Sequence, residues 1–375
     1  MVFKVVPPDY EVFSGGDRLA YTPRGDGLRV YSLAPGKVRV SLSAPGSAPT
    51  TVNLDVKAGM DKVEAKLEPR TGPLSLLAEA ATGKAPRSVS FSADGKKLFV
   101  SLLGEPGVDV YDVPSLKKTG RLTPASGSGT ASDTLAVGAS IWTAGTDGRI
   151  SAFDAKTLAF QDSTDLTGGG SSFLANLGDG KVAVTNWDTG GLLQIDAATK
   201  TVVGSLQLKG SLRDSTWTKG TGYASLFDPA QVVVIDQASW KVKAIWPVGQ
   251  APRPVAVVGS TVFVGDMANA TVYLLDAATG KRTASVSVAS IPHILSASPA
   301  LSLVAVASRG KNNPTDYQLP GPEYGKVTLI DTKGNVVASV WGRNQPTGLG
   351  FSADGKYLAF TDYLDDNLEL YRFTK

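Results

Sequence analysis

The chain has 375 residues, 42% of them hydrophobic, with 41 glycines, 22 prolines and a net charge of +3. Without cysteine it forms neither disulfides nor thiolate-ligated metal sites, and a single histidine excludes a multi-histidine zinc centre. No apolar run is long enough for a membrane-spanning helix, and the near-neutral charge, with no basic arm, argues against a nucleic-acid surface.

Met1–Pro8 (MVFKVVPP) lacks the apolar core and cleavage site of a signal peptide. The absence of cysteine fits an oxidising compartment, so a periplasmic or extracellular protein with its signal removed is expected, and a cytoplasmic one is the alternative. Residues 1–70 read as a small all-β unit of roughly five to seven short strands. LRVYSL leads into the turn Ala34-Pro35-Gly36. KVRVSLSA then alternates, with Val38 and Val40 on one face and Lys37, Arg39 and Ser41 on the other. TTVNLDVKAG and KVEAKLEP follow the same rule, and Pro69–Pro73 (PRTGP) reads as a linker.

From residue 71 the chain repeats. An apolar pair, an Asp and a turn recur at Asp112, Asp154, Asp196, Asp236, Asp276 and Asp331, spaced 42, 42, 40, 40 and 55 residues apart. This is the period of a four-stranded propeller blade. The Asp carboxylate can accept N–H groups of the turn that follows, stopping one strand and starting the next. Tight hairpins, SADG at Ser92–Gly95 and Ser352–Gly355 and LGDG at Leu177–Gly180, fit between the first and second strands. Seven units are counted, with blades over about 86–375. The last has only three strands, and Arg372 stands where the repeated Asp belongs. Leu74–Glu79 is the expected closing strand, which leaves no free sheet edge between the first and last blades. The expected fold is therefore all-β: a small β-sandwich over 1–70, then a seven-bladed β-propeller over 71–375.

On YTPRG, YSLAPGKVRV and the later valine-bearing strands, residues 1–70 resemble the PEGA family of envelope-associated β domains, although the P-E-G-A tetrad itself is absent. That resemblance implies a non-catalytic module. The D-A-A-T turns at Asp196–Thr199 and Asp276–Thr279, with the inner hairpins Pro86–Gly95 and Pro346–Gly355, resemble YVTN-type, quinoprotein-like and WD-like seven-bladed propellers. The tetrad survives only as VAVTNW and VFVGDM. Such a fold hosts many unrelated activities.

The repeat register sorts residues by face. Loops between second and third strands share one face with the loops between blades, and the starts of the inner strands ring the channel mouth there. Arg87, Arg213, Asp214, Arg253 and His293 belong to this group. Converging guanidinium groups attract carboxylate or phosphate. The preferred structural reading instead pairs them with Asp214, Asp266 or Asp362, so that they only close the channel. The 55-residue spacing contains an insertion about 15 residues longer than its counterparts, SRGKNNPTDYQLPGPEYG, which presents Arg309, Asn313, Tyr317 and Tyr324 as a partial lid for partner contacts. Trp187, in NWDTG, is the tryptophan best placed to stack on a sugar or base. The acidic run TDYLDDN does not match a calcium loop and reads as a solvated loop. His293 reads as a polar channel residue; a catalytic triad would have only this base. No catalytic residue, metal site or cofactor is assigned. The reading is a non-enzymatic binding or scaffold protein of the bacterial envelope, whose partner is a protein, peptide or glycan. The alternative is a lactonase- or quinoprotein-like enzyme acting at the channel mouth, which predicts carboxylates converging on Arg87 and His293.

Overall fold

The computed structural model describes all residues except 16, 25–27, 60, 69, 71, 125–128, 166–171 and 375. Pro69 and Thr71 of the expected linker lie outside the described residues. Among the described residues every regular element is a strand, and the strands form nine four-stranded sheets.

Seven of these sheets follow one another from Pro86 to Phe373. In the first, Pro86–Phe91, Lys97–Leu102, Val108–Asp112 and Lys118–Leu122 pair antiparallel in chain order. The next five repeat this order. The last is made of Pro346–Phe351, Tyr357–Asp362 and Asn367–Phe373, and Leu74–Ala81 adds the fourth strand from upstream. The innermost strands stand side by side in a closed round, with Pro86–Phe91 packed against both Ala131–Val137 and Pro346–Phe351. Second strands are buried almost throughout, as in Leu303–Ser308, because a neighbouring sheet covers each face. Outer strands alternate towards exposure, as in Lys241–Pro247. The core is therefore distributed between adjacent sheets. Phe263, Leu274, Val304 and Val306 form one such packet, and Phe360, Leu329 and Leu358 contribute to another.

The repeated Asp residues act locally, as their position demands. The Asp154, Asp196 and Asp276 carboxylates each accept backbone N–H groups of the following turn at 2.7–3.2 Å, together with a Thr hydroxyl. Asp236 does the same with Ser239. Asp112 differs: its carboxylate pairs with Lys97 at 3.0 Å. Asp276→Ala is expected to lower the thermal midpoint, and Asp276→Asn, which keeps the acceptor, to retain it. Asp112→Ala should cost less; equal losses in thermal melts at positions 112 and 276 would contradict this account.

Residues 1–66 build the other two sheets around Phe3, Tyr10, Val12, Tyr31, Val40 and Leu42. Among the described residues they contain eight strands, more than the pattern suggested. The additions are short N-terminal segments. Val2–Val6 runs parallel to Lys62–Lys66, a long-range pairing with no local turn to announce it. This part is seated on the last two sheets of the round. Phe13 stacks on Trp341 at 5.6 Å, and Arg343 bridges Glu79 at 2.8 Å and Asp9.

Candidate functional site

The inner strands share one irregularity. Among the described residues, six of the seven sheets show a ladder that slips by a residue or more at the strand start, at Arg87, Ser132, Arg213, Arg253–Pro254, His293 and Thr347. A bulge re-aims the side chain it carries. A proline precedes the bulged residue in four of these strands (Pro86, Pro252, Pro292 and Pro346), where the missing N–H has no ladder partner to serve. Arg87, Arg253 and His293 thus meet in a neck, each less than a tenth exposed. On one side of the neck lies a channel cavity of about 260 Å³, which Arg213, Asp133 and Asp214 also line. On the other is an open vestibule of about 340 Å³ walled by Trp187, Arg309, Tyr317, Gln345 and Tyr363.

The arginines are not neutralised in the way the sequence suggested. Among the described residues none of Arg87, Arg213, Arg253 and Arg309 forms an ion pair; the carboxylates proposed as their partners are committed elsewhere. Asp214 accepts Ser215 N–H at 2.8 Å and Val255 N–H at 3.0 Å. Asp266 accepts Gln250 and Ala251 N–H, and Asp362 accepts Arg343 N–H. The guanidinium groups lie instead against rings: Arg213 over Trp187 at 3.3 Å and Phe227 at 4.7 Å, and Arg253 over Trp187 at 5.4 Å. Burial pulls Arg213 down to about 10, and burial with the Arg309 charge does the same to Arg87. Burial and the neighbouring arginines push Arg253 well below the usual arginine range. Burial raises Asp214 to about 7, so it is only partly ionised at neutral pH.

Arg253 Nη2 lies 3.3 Å from His293 Nε2. A guanidinium only donates, so Nε2 accepts and the ring proton sits on Nδ1. Burial and the surrounding arginines hold His293 neutral, well below its ordinary range. Such an imidazole is a weak base at neutral pH.

The other expected site residues separate. Arg309 and Tyr317 reach the vestibule. Arg309 donates to Gln345 Oε1, and Gln345 Nε2 donates to the Tyr317 carbonyl. Asn313 braces the insertion from within, donating to the Pro320 carbonyl at 3.0 Å and accepting Thr315 N–H at 2.9 Å. Tyr324 faces away from the vestibule. It is buried, donates to Glu11 at 2.9 Å and lies under Arg18 at 4.8 Å. Trp187 is half-buried, its face taken by Arg213. The TDYLDDN carboxylates are latches more than a solvated loop. Asp365 holds Asn344 through N–H and side chain, and Asp366 accepts Ala85 N–H at 2.8 Å. Among the described residues no cluster of three or more His, Asp or Glu is placed to hold a metal ion. Gln345 and Leu103 were missed at the mouth. Gln345 lies in a loop between sheets and Leu103 in the loop between the second and third strands of the first sheet, and only these positions mark them.

No protein-family model matches the chain. Among curated proteins it is similar to Antigen Lp49 of Leptospira interrogans, 28% identical over 366 residues, covering 90% of this chain and 78% of that protein. Among solved structures it superposes on a chain of the crystal structure of the mitotic checkpoint complex with a TM-score of 0.68 at 15% identity, covering 86% of this chain and 97% of that one. The chain is all-β and propeller-like. At that identity the likeness carries the fold alone.

Proposed function

We propose that the chain is a non-enzymatic binding protein of the bacterial cell envelope, periplasmic or extracellular. In this reading residues 71–375 are a seven-bladed propeller of YVTN type, closed by the strand at 74–81, and residues 1–70 are a PEGA-like module. The loop-bearing face takes a protein, peptide or glycan partner. One observation carries the reading: the mouth is an open cavity walled by arginines and aromatic rings, and its nearby carboxylates are bonded to backbone amides. Convergent free carboxylates would have favoured catalysis. The similarity to a leptospiral antigen supports a surface location. No helix among the described residues is long and apolar enough to cross a membrane.

Pull-downs from envelope extract test this. Replacing residues 312–319 by a Gly-Ser link alters the lid but keeps Arg309 and Tyr324. Asp94→Lys with Asp354→Lys alters the hairpin turns on the opposite face. A specific partner should be lost with the first variant and kept with the second. The reverse pattern, in folded proteins, would move the interface to the other face.

A further inference from the structure

The neck and the channel below it carry hydrogen-bond donors with no acceptor. Nδ1 of His293, and Nε and Nη1 of Arg213, are buried without a partner, and so is Nε of Arg309 beside the vestibule. Arg87 and Arg253, both more than nine-tenths buried, add guanidinium groups without carboxylate partners. By the tautomer argument His293 Nδ1 is also a donor. The Thr134 hydroxyl, which can donate as well as accept, is also unpartnered in the channel. The other groups all present N–H, and four of those five residues are cationic. A neutral ligand such as a sugar hydroxyl would satisfy some donors but leave the charge uncompensated. Buried cations without a carboxylate partner are costly, and a site that holds Arg87 and Arg253 buried and Arg213 and Arg309 half-buried beside an open cavity is suited to an acceptor-only, negatively charged group.

We propose that the neck is a binding site for a small organic oxyanion, a ligand bearing carboxylate or phosphate groups. The anionic group sits between Arg87, Arg253 and His293. The remainder of the ligand occupies the vestibule against Trp187, Tyr317 and Tyr363. A vestibule of about 340 Å³ admits a small molecule or the acidic end of a chain. Guanidinium forks suit both oxyanions, so the two are separated by measurement. The inference deepens the binding-face reading and rests on it for an open mouth in the working protein. It has its own readout, because anion binding is measured on purified protein without a macromolecular partner.

The test uses the full chain at fixed ionic strength, with citrate, glucuronate, glucose 6-phosphate and inorganic phosphate as anionic probes and glucose as the neutral control. Calorimetry should show one site for at least one anion, weakening as salt rises. Preference for citrate and glucuronate assigns carboxylate; preference for the phosphates assigns phosphate. Arg253→Gln should weaken binding at least about tenfold. The same variant should melt higher than the parent without ligand, because it removes a charge that its neighbours repel. A merely structural arginine would do the opposite. Arg87→Gln provides a second variant should Arg253→Gln not fold. Three results would each overturn the proposal: no probe binding better than glucose, unchanged affinity in the folded Arg87→Gln and Arg253→Gln proteins, or heat signals that vanish at moderate salt in parent and variants alike, which would mark an adventitious ion only.

Discussion

A chain beginning at Gly72 is expected to remain soluble and unfold cooperatively, whereas one beginning at Thr82 is expected to aggregate. The ten residues between them contain the strand that completes the last sheet. Leu74–Ala81 pairs with Asn367–Phe373 from Phe373↔Leu74 to Asn367↔Ala81. Leu74 is fully buried, and Glu79 holds Arg343 at 2.8 Å. Without this segment Asn367–Phe373 becomes an edge, and its Leu368, Leu370 and Tyr371, all fully buried in the complete protein, lose their cover. An unpaired apolar edge is a template for pairing between chains. Leu74→Ala alone should cost about 2–5 kcal/mol through the cavity it leaves. Loss of residues 1–71 exposes Trp341 and Tyr324, so the longer truncated protein should be less stable than the parent yet still two-state. Size-exclusion chromatography and thermal unfolding of both proteins decide the matter. Equal solubility and cooperativity of the Thr82 chain would mean that the round closes without the strand.

Glu369→Gln is expected to stabilise the protein increasingly as pH rises. Glu369 and Asp362 are both fully buried and lie diagonally across paired strands, with Phe360 opposite Glu369 and Asn367 opposite Asp362. Burial raises both, Asp362 to about 7 and Glu369 well above the carboxylate range, so together they hold a proton at neutral pH. Tyr371 donates to Glu369 at 2.7 Å, and Arg343 N–H donates to Asp362 at 2.8 Å, which leaves the proton on Glu369 facing Asp362. The carboxamide introduced by the substitution would reproduce that donor and acceptor without a titrating group. A carboxyl whose folded pKa lies above its unfolded value keeps its proton in the fold after the unfolded chain has released it. Its contribution is therefore greatest at pH 4 and below, and stability is lost as pH rises from about 4.5 towards the folded pKa, by up to about 1.4 kcal/mol per pH unit. Arg343, Glu79, Asp365 and Tyr371 also face the pair, and they are common to both proteins. His293, held neutral, acts with the opposite sign below pH 6.5 and cancels in the difference. Melting points at pH 4.5, 6 and 8 should show the variant gaining on the parent. A constant difference would remove Glu369 as the titrating group.

What the sequence made legible was local. The Asp turns and SADG hairpins declare themselves because each carboxylate or hydroxyl bonds within a few residues. The upstream strand was readable because one repeat lacked a strand. The inner-strand starts were readable as a mouth because register alone assigns them to it. Pairing was not legible. Asp214, Asp266 and Asp362 resemble arginine partners in the sequence, and only the fold shows that backbone amides already occupy them. Tyr324 is the same case. An aromatic residue on a long loop suits recognition or anchoring equally, and its partner Glu11 lies 313 residues away. Glu369 sat in an evident strand, but its burial depends on a segment nearly three hundred residues upstream.

The slip at the head of six of the inner strands has an evolutionary meaning. The bulged residue stands outside the alternation that the rest of the strand must obey, so its identity is released from the packing rule. Arg, Ser, His and Thr already occupy equivalent positions in different sheets. The round therefore behaves as a dial of independently exchangeable letters facing one axis. A descendant could acquire a new ligand preference by single replacements there while the sheets that carry them stay unchanged.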